Sequence, residues 1–199
     1  MKIIVVGATG TIGRAVVDEL AVRHEIIKVG RKSGDVNVDI TSTDSISKMY
    51  EAIGAFDALV STTGSGYFGD FSTMTEAECY IGIRDKLMGQ VNLVLIGRNY
   101  INDSGSFTLT SGVLSQDPVR GGAAMSMINA ALDGFVVGAS IELPKGIRIN
   151  SVSPGVIQES MDQYASVFRG HEPVPVSKVA RVYSKSVEGF LNGQIFRVY

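Results

Sequence analysis

Several residue types are scarce in this 199-residue chain, and each scarcity argues against one class of site. Its one cysteine, Cys79, cannot form an internal disulfide and fits a reducing compartment, so a cytoplasmic location is expected. Its two histidines, His24 and His171, lie far apart with no cysteine or second histidine close by, so no metal site is expected. The formal net charge is −2 and no basic run exceeds the pair Arg31-Lys32, which argues against nucleic-acid binding. No run approaches the about 18 apolar residues of a membrane span, so no membrane partner is expected.

What is present is an alternation of short runs rich in Val and Ile with longer helical segments. This alternation predicts an α/β protein of Rossmann type, a three-layer doubly wound parallel sheet of about seven strands, in a single domain over residues 1–199. Only RKSGD separates the second and third strands, so that crossover should be a bare loop without a helix. Strands are predicted near 2–6, 25–29, 36–38, 56–60, 105–110, 146–152 and 194–198, and helices near 11–22, 42–53, 75–99, 121–142, 158–168 and 177–190.

A glycine turn follows the first predicted strand and precedes a helix, with the sequence Gly7-Ala8-Thr9-Gly10-Thr11-Ile12-Gly13. In such a turn Gly7 permits the tight turn, Gly10 permits close approach of a pyrophosphate, and Gly13 permits close packing of helix on strand. The N-terminus of the helix offers N–H groups and the positive end of its dipole to phosphates. The segment therefore predicts a dinucleotide site; the alternative is a glycine-rich turn without a ligand.

The second strand ends in Lys28-Val29-Gly30-Arg31-Lys32, where an acidic residue would select NAD by binding its ribose 2′-hydroxyl. Arg31 can pair instead with a 2′-phosphate through a planar, charge-assisted fork, with Lys32 beside it. The residues thus favour NADP(H), with NAD(H) possible, and the alternative is a pair of solvated surface cations.

Polar residues also follow the third and fourth predicted strands, where open α/β sheets bind ligands. Asp39-Ile40 follows the third strand, and Asp39 could accept a hydrogen bond from an adenine amino group. Ser61-Thr62-Thr63-Gly64 follows the fourth, and Gly64 would let the chain pass close to a cofactor.

Together these segments resemble the short-chain dehydrogenase/reductase superfamily over nearly the whole chain. The similarity includes GATGTIG, the Asp39-Ile40 pair, STTG at 61–64, Ser111 in LTSG, AALDGF at 130–135 and KGIRINSVSPG at 145–155. The resemblance implies an oxidoreductase that acts on a small carbonyl or alcohol, with Pro154, Gly155 and Val156 beside the nicotinamide. It also implies a short lid over the substrate at about 156–175.

The long helix that carries the family's Tyr-x-x-x-Lys pair contains neither residue type here, since 121–144 lacks both. Alignment on AALDG places Met125 at the tyrosine position and Asn129 at the lysine position. The position of the family's catalytic asparagine holds Lys86, so only Ser111 of the four catalytic residues is retained. Asp133 is the only ionisable residue of 121–135.

Lys86 is the candidate replacement acid: its ammonium could stabilise an oxyanion or donate a proton, or it could extend from a surface helix into solvent. Tyr67, Tyr164 and His171 lie in segments expected to flank the substrate, and the alternative for each is a surface or packing residue. Two main interpretations stay open: an NADP(H)-dependent reductase with a non-standard proton donor, and a degenerate dinucleotide-binding sensor or scaffold. A third is a non-redox enzyme that keeps its cofactor bound. By resemblance, helices 75–99 and 121–142 would form the interface of a homodimer or homotetramer.

Overall fold

The computed structural model describes residues 1–199 and contains one seven-stranded sheet in the order β3-β2-β1-β4-β5-β6-β7. Every neighbouring pair of strands is parallel, so the predicted doubly wound parallel sheet is confirmed. The strands are β1 Lys2–Val6, β2 Glu25–Gly30, β3 Val36–Asn37, β4 Phe56–Ser61, β5 Ile101–Thr110, β6 Arg148–Pro154 and β7 Ile195–Val198.

Helices cover both faces of the sheet, and the central strands β1 and β4 contribute apolar side chains to the core on each face. In β1, Ile3 and Val5 enter the core beneath one set of helices, while Ile4 and Val6 enter the core on the opposite face. The core that contains Ile3 and Val5 also includes the buried faces of α1 and α7. The core that contains Ile4 and Val6 includes those of α2, α4 and α5. The helices are α1 Thr11–Ala21, α2 Thr43–Ile53, α3 Glu76–Gly82, α4 Met88–Gly97, α5 Ala123–Ser140, α6 Met161–Tyr164 and α7 Val176–Glu188.

The structure corrects three predicted elements. The helix expected over 75–99 is divided, because a π-helical turn at Ile83–Leu87 separates α3 from α4. The helix expected over 158–168 is only a 3₁₀ turn at Gln158–Ser160 followed by the single turn of α6. Strand β5 begins at Ile101, earlier than expected, and shifts register against β4 between Phe56 and Ala58. The crossover from β2 to β3 is a bare loop, as predicted.

One helix, α5, is long and apolar enough to cross a membrane when judged by length and composition alone. The sequence-based statement that no segment approaches this length is therefore wrong for Ala123–Ser140. The helix packs against β6, however, and its buried face includes Ile128, Leu132 and Val136. Helix α5 is therefore placed as a core helix, and its packing against the sheet accounts for its long apolar sequence.

The parallel arrangement brings the carboxyl ends of all seven strands to one edge of the sheet. The segments that leave β1, β4, β5 and β6 at this edge carry the glycine turn, Thr62–Gly64, Ser111 and Gly155–Ile157. Ligands of open α/β sheets bind at this edge, so the fold gathers most of the predicted site residues in one place.

Candidate functional site: a two-part cleft at the carboxyl edge of the sheet

The glycine turn has a distinct spatial reason for each glycine. Gly7 has φ +85°, a left-handed conformation that side chains rarely adopt. A Cβ on Gly13 would lie 2.0 Å from the carbonyl oxygen of Gly7, so helix α1 starts too close to β1 for any side chain. A Cβ on Gly10 would meet only the Gly7 oxygen, at 3.4 Å, so this position borders open space. The turn therefore fits a ligand that approaches the backbone at Gly10.

Two cavities follow this edge, and both are lined by Thr62, Thr63 and Gly64. We call the cavity of about 380 Å³ on the β2–β3 side the distal cavity, and the one of about 330 Å³ on the β5–β6 side the proximal cavity. The distal cavity is also lined by Val6, Gly7, Thr9, Gly10, Gly30, Arg31, Val38, Asp39, Ile40, Ser65 and Asp85. Together they form an elongated cleft whose ends differ in chemistry, as a dinucleotide requires.

Two residues predicted to bind the cofactor contact each other in the distal cavity. Arg31 Nη2 donates a hydrogen bond to Asp39 Oδ2 over 3.2 Å, and the Arg31 side chain is 68% exposed. The other carboxylate oxygen, Oδ1, accepts from both Thr41 N and Thr41 Oγ1, and these bonds are the main reason that the pKa of Asp39 is lowered. An exposed ion pair is weakly held, so Arg31 can exchange this partner for an anionic ligand. Lys32 is exposed and does not line the cavity.

Lys86 is buried and lines the proximal cavity, so the alternative in which it extends into solvent is wrong. Its side chain is buried, and Nζ donates to the carbonyl oxygen of Ser111 over 2.8 Å and to Asn129 Oδ1 over 2.7 Å. Burial lowers the pKa of Lys86 to about 8, and the charge of Asp133 acts in the opposite direction. The amine therefore changes its protonation state close to physiological pH.

The π-helical turn explains why Lys86 points inward. It widens the helix locally at Ile83–Leu87, and π-helical turns often occur at functional sites. Gly64 permits the close approach, since a Cβ there would lie 2.7 Å from Lys86 Cγ. Lys86 and Asn129, which occupy the family's asparagine and lysine positions by alignment, are thus hydrogen-bonded to each other. The two positions have exchanged residue types while keeping both an amine and an amide in the site.

Ser111 is held rigidly at the end of β5. Its Oγ accepts a hydrogen bond from Ser151 Oγ over 3.0 Å, which leaves its own hydroxyl hydrogen able to donate. Gln90, which the sequence interpretation missed, is fully buried one helical turn after Lys86. Its amide donates to Thr110 O over 2.9 Å and accepts from Thr110 N over 2.9 Å. Gln90 thereby fixes the backbone that presents Ser111.

The wall of the proximal cavity is mainly apolar and partly aromatic. Met125, at the family's tyrosine position, lines it together with Phe68, Tyr164 and Phe168. Lys86 and Tyr164 are the only ionisable lining residues; no carboxylate, arginine or histidine is among them. The complete lining comprises Thr11, Ile12, Thr62, Thr63, Gly64, Phe68, Lys86, Thr110, Ser111, Gly112, Val113, Leu114, Met125, Asn129, Pro154, Gly155, Val156, Ile157, Ser160, Tyr164 and Phe168.

Of the three flanking candidates, the structure places one in the cavity. Tyr164 lines it, whereas Tyr67 lies outside the lining, where interaction with Glu78 raises the pKa of Tyr67. His171 also lies outside, where its Nδ1 is 3.3 Å from Asp117 Oδ2. Phe68 and Phe168 had no sequence signal, because both lie in segments without regular periodicity.

The comparisons with known proteins now decide the family. A family model described as Enoyl-(Acyl carrier protein) reductase matches residues 7–178 of this chain. The chain belongs to the short-chain dehydrogenase/reductase superfamily. This membership confirms the resemblance that the sequence motifs indicated.

Related proteins match most or all of the chain. A crystal structure of the protein lin1944 from Listeria innocua shares 50% identity and a TM-score of 0.99, with complete coverage of both chains. A small-chain dehydrogenase crystallised in complex with NADPH shares 28% identity and a TM-score of 0.89, covering 100% of this chain and 96% of that one. An uncharacterised oxidoreductase of Bacillus subtilis (strain 168), YmfI, is 24% identical over 214 residues, covering 89% of this chain and 85% of its own.

Proposed function

We propose that this short-chain dehydrogenase/reductase is an NADP(H)-dependent oxidoreductase that interconverts a small uncharged carbonyl compound and its alcohol, with Lys86 as the proton donor. The observation that carries the proposal is the buried Lys86 ammonium beside Ser111 in an apolar cavity. NADP(H) supplies or accepts the hydride when bound, so the protein has to bind the substrate, manage one proton and stabilise charge on oxygen.

The residues of the cleft fit such a cofactor from end to end. Open space at Gly10 and the start of α1 suit the pyrophosphate, and Arg31 suits the 2′-phosphate. The neighbour crystallised with NADPH supports the same cofactor class for this chain. The residues that line the cleft and would hold the dinucleotide are Gly7, Thr9, Gly10, Thr11, Ile12, Arg31, Asp39, Ile40, Thr62, Thr63, Gly64, Pro154, Gly155 and Val156. Gly13 and Ser61 are buried behind the cavity linings, and Lys32 is an exposed outer cation.

Arg31 provides a direct test of cofactor choice. We expect NADP(H) to bind the wild type more tightly than NAD(H), because an arginine stands where an acid would select NAD. The variant Arg31→Ala should lose about 1.5–3 kcal/mol of NADP(H) affinity, as for a charge-assisted hydrogen bond, and little NAD(H) affinity. Calorimetric titration of both cofactors measures this, with Lys48→Ala, an exposed cation on α2, as the matched control. Equal affinities of the wild type for both cofactors would rule out the preference.

The hydrogen-bond inventory of Lys86 explains its proposed role. An ammonium has three donors, and two of them are used by Ser111 O and Asn129 Oδ1. The third is available for a ligand in the cavity that Lys86 lines. In the direction of reduction, this donor stabilises the negative charge that develops on the carbonyl oxygen and transfers a proton to it. The Ser111 hydroxyl donates a second hydrogen bond to the same oxygen.

The composition of the cavity wall supports a neutral and largely apolar substrate. Phe68, Tyr164 and Phe168 provide flat apolar surface, and no arginine is present to pair with a carboxylate or phosphate. We further propose that residues 156–175 act as a lid. At its ends, Val174 N donates a hydrogen bond to Val156 O, and Ile157 forms a β-bridge with Val174. The segment is therefore a closed loop, and Tyr164 and Phe168 within it line the cavity.

We also propose that the protein is a homodimer or homotetramer through the outer faces of α3 to α5. Met88 and Leu95 on α4 and Met127 and Val137 on α5 are exposed apolar side chains. Sedimentation velocity tests this, because a monomer at micromolar concentration would contradict it.

The competing function is a dinucleotide-binding sensor or scaffold, and Met125 is the observation that favours it, since a thioether cannot donate a proton. The assay that separates the two follows NADPH oxidation with a panel of uncharged aldehydes and ketones, beside calorimetric binding of NADPH. Turnover that depends on the carbonyl compound supports the enzyme. Cofactor binding at micromolar affinity without any turnover supports the sensor.

A further inference from the structure

A buried ammonium requires a nearby counter-charge, and the direct partners of Lys86 do not provide one. Ser111 O and Asn129 Oδ1 are both neutral acceptors, and Lys86 forms no salt bridge. No acid lines the proximal cavity. An unbalanced charge in the interior would favour loss of the proton, which would remove the acid that the proposed function needs.

Asp133 has the position and surroundings of that counter-charge. It lies four residues after Asn129 on α5, about 6 Å along the helix axis, and so is on the same face of the helix. Its Oδ2 accepts a hydrogen bond from Ser115 Oγ over 3.2 Å, while its Oδ1 is buried and has no partner in the protein. Ser115 Oγ also lies 3.2 Å from the carbonyl oxygen of Gly112. Gly112 follows Ser111, whose carbonyl oxygen accepts the hydrogen bond from Lys86.

The other charged groups near Lys86 face elsewhere. Arg84, on the same π-helical turn, lies over the ring of Tyr80 at 5.5 Å. Asp85 accepts a hydrogen bond from Ser65 N over 2.7 Å at the distal side. Residues 156–175 contribute one ionisable residue, Tyr164, to the lining of the proximal cavity. The groups that β5, β6 and α4 present are the neutral Ser111, Ser151 and Gln90.

We propose that Asp133 is a positioning residue whose carboxylate, held by Ser115, keeps Lys86 in its ammonium form without touching the substrate. The contribution to catalysis rests on the proposed function, whereas the electrostatic coupling does not. Because Asp133 lies one turn beyond Asn129 on α5 and forms no salt bridge with Lys86, its carboxylate balances the charge without taking up the donor that faces the cavity.

The test is the titration of Lys86 by ¹³C NMR of lysine-labelled, cofactor-free protein, with the Lys86 signal assigned by its loss in Lys86→Met. In the wild type the midpoint should lie near pH 8. In Asp133→Asn it should fall by roughly 0.5–1 pH unit, because an opposite charge near a buried amine is lost. Asp133→Glu, which retains the charge, should return it towards the wild-type value. Asp117→Asn is the matched control, because this carboxylate pairs with His171 and should leave the midpoint unchanged.

An unchanged midpoint in Asp133→Asn would overturn the proposal. If that variant does not fold, Asp133→Ser removes the same charge with a smaller side chain, and the same criterion applies to it. A shifted midpoint in a protein that reduces no carbonyl compound would uphold the coupling and refute the proposed reaction. In an active enzyme, the pH midpoint of kcat should shift with the NMR midpoint, which a purely structural role of Asp133 would not produce.

Discussion

Replacing Lys86 with glutamine should lower kcat for NADPH-dependent carbonyl reduction by about 10²–10⁴-fold, the usual contribution of a general acid. An amide of similar reach can keep one hydrogen bond to Ser111 O or Asn129, but it cannot supply a proton near neutral pH. NADPH affinity should change little, because Gly10 and Arg31, proposed to meet the pyrophosphate and the 2′-phosphate, line the distal cavity, which Lys86 does not line. The matched control is Lys48→Gln, on the exposed surface of α2.

The same role fixes the sign of the pH dependence. The pKa of Lys86 is lowered to about 8, so the ammonium predominates below that pH and the free amine above it. Reduction needs the ammonium and should decline as pH rises through 8, whereas alcohol oxidation needs a base and should increase over the same range. Steady-state rates in both directions measure this. If Lys86→Gln reduced carbonyls at the wild-type rate with an unchanged pH profile, the proton would come from another group, with Tyr164 the next to test.

The second large effect is expected at the glycine turn, where Gly10→Val should raise the Kd for NADP(H) by more than roughly 100-fold, about 2.7 kcal/mol, while the fold is preserved. Gly10 has φ −75° and ψ 172°, which valine adopts readily, and a Cβ there meets no protein atom closer than 3.4 Å. The added methyl groups would occupy the open space that suits the pyrophosphate. Calorimetry and thermal unfolding of the same sample measure binding and folding together.

Gly13→Ala is the control that separates the two functions of the turn. Its Cβ would lie 2.0 Å from Gly7 O, so this variant should lose thermal stability even without ligand. A Gly10→Val protein that folds and binds NADP(H) like the wild type would show that the turn is only structural.

The fold and the distal cavity were accessible to sequence reasoning because their signals are local. Gly7, Gly10 and Gly13 lie within one turn, and the strands alternate regularly with helices. Three predicted cofactor residues lie outside both cavity linings: Lys32 is on an exposed loop beyond Arg31, while Gly13 and Ser61 are buried.

The proximal cavity was less accessible because its contacts join distant residues. The hydrogen bond between Lys86 and Asn129 spans 43 positions and depends on a π-helical turn that has no periodic signature. Gln90 did carry a weak signal, as one of two polar residues, with Asn92, in the mainly apolar MGQVNLVLIG, since buried polar residues need internal partners. The one-turn helix α6 and the lid around it have no regular pattern, so Phe168 could not be placed from spacing alone.

The most direct test is a crystal structure of the NADP⁺ complex, in which the groups around nicotinamide C4 can be identified. We expect the nicotinamide in the proximal cavity near Pro154 and Gly155, with Lys86 Nζ and Ser111 Oγ as the donors that face the substrate side. A nicotinamide bound away from Lys86, or a site in which Lys86 is shielded and another residue is the only proton donor, would contradict the proposed chemistry.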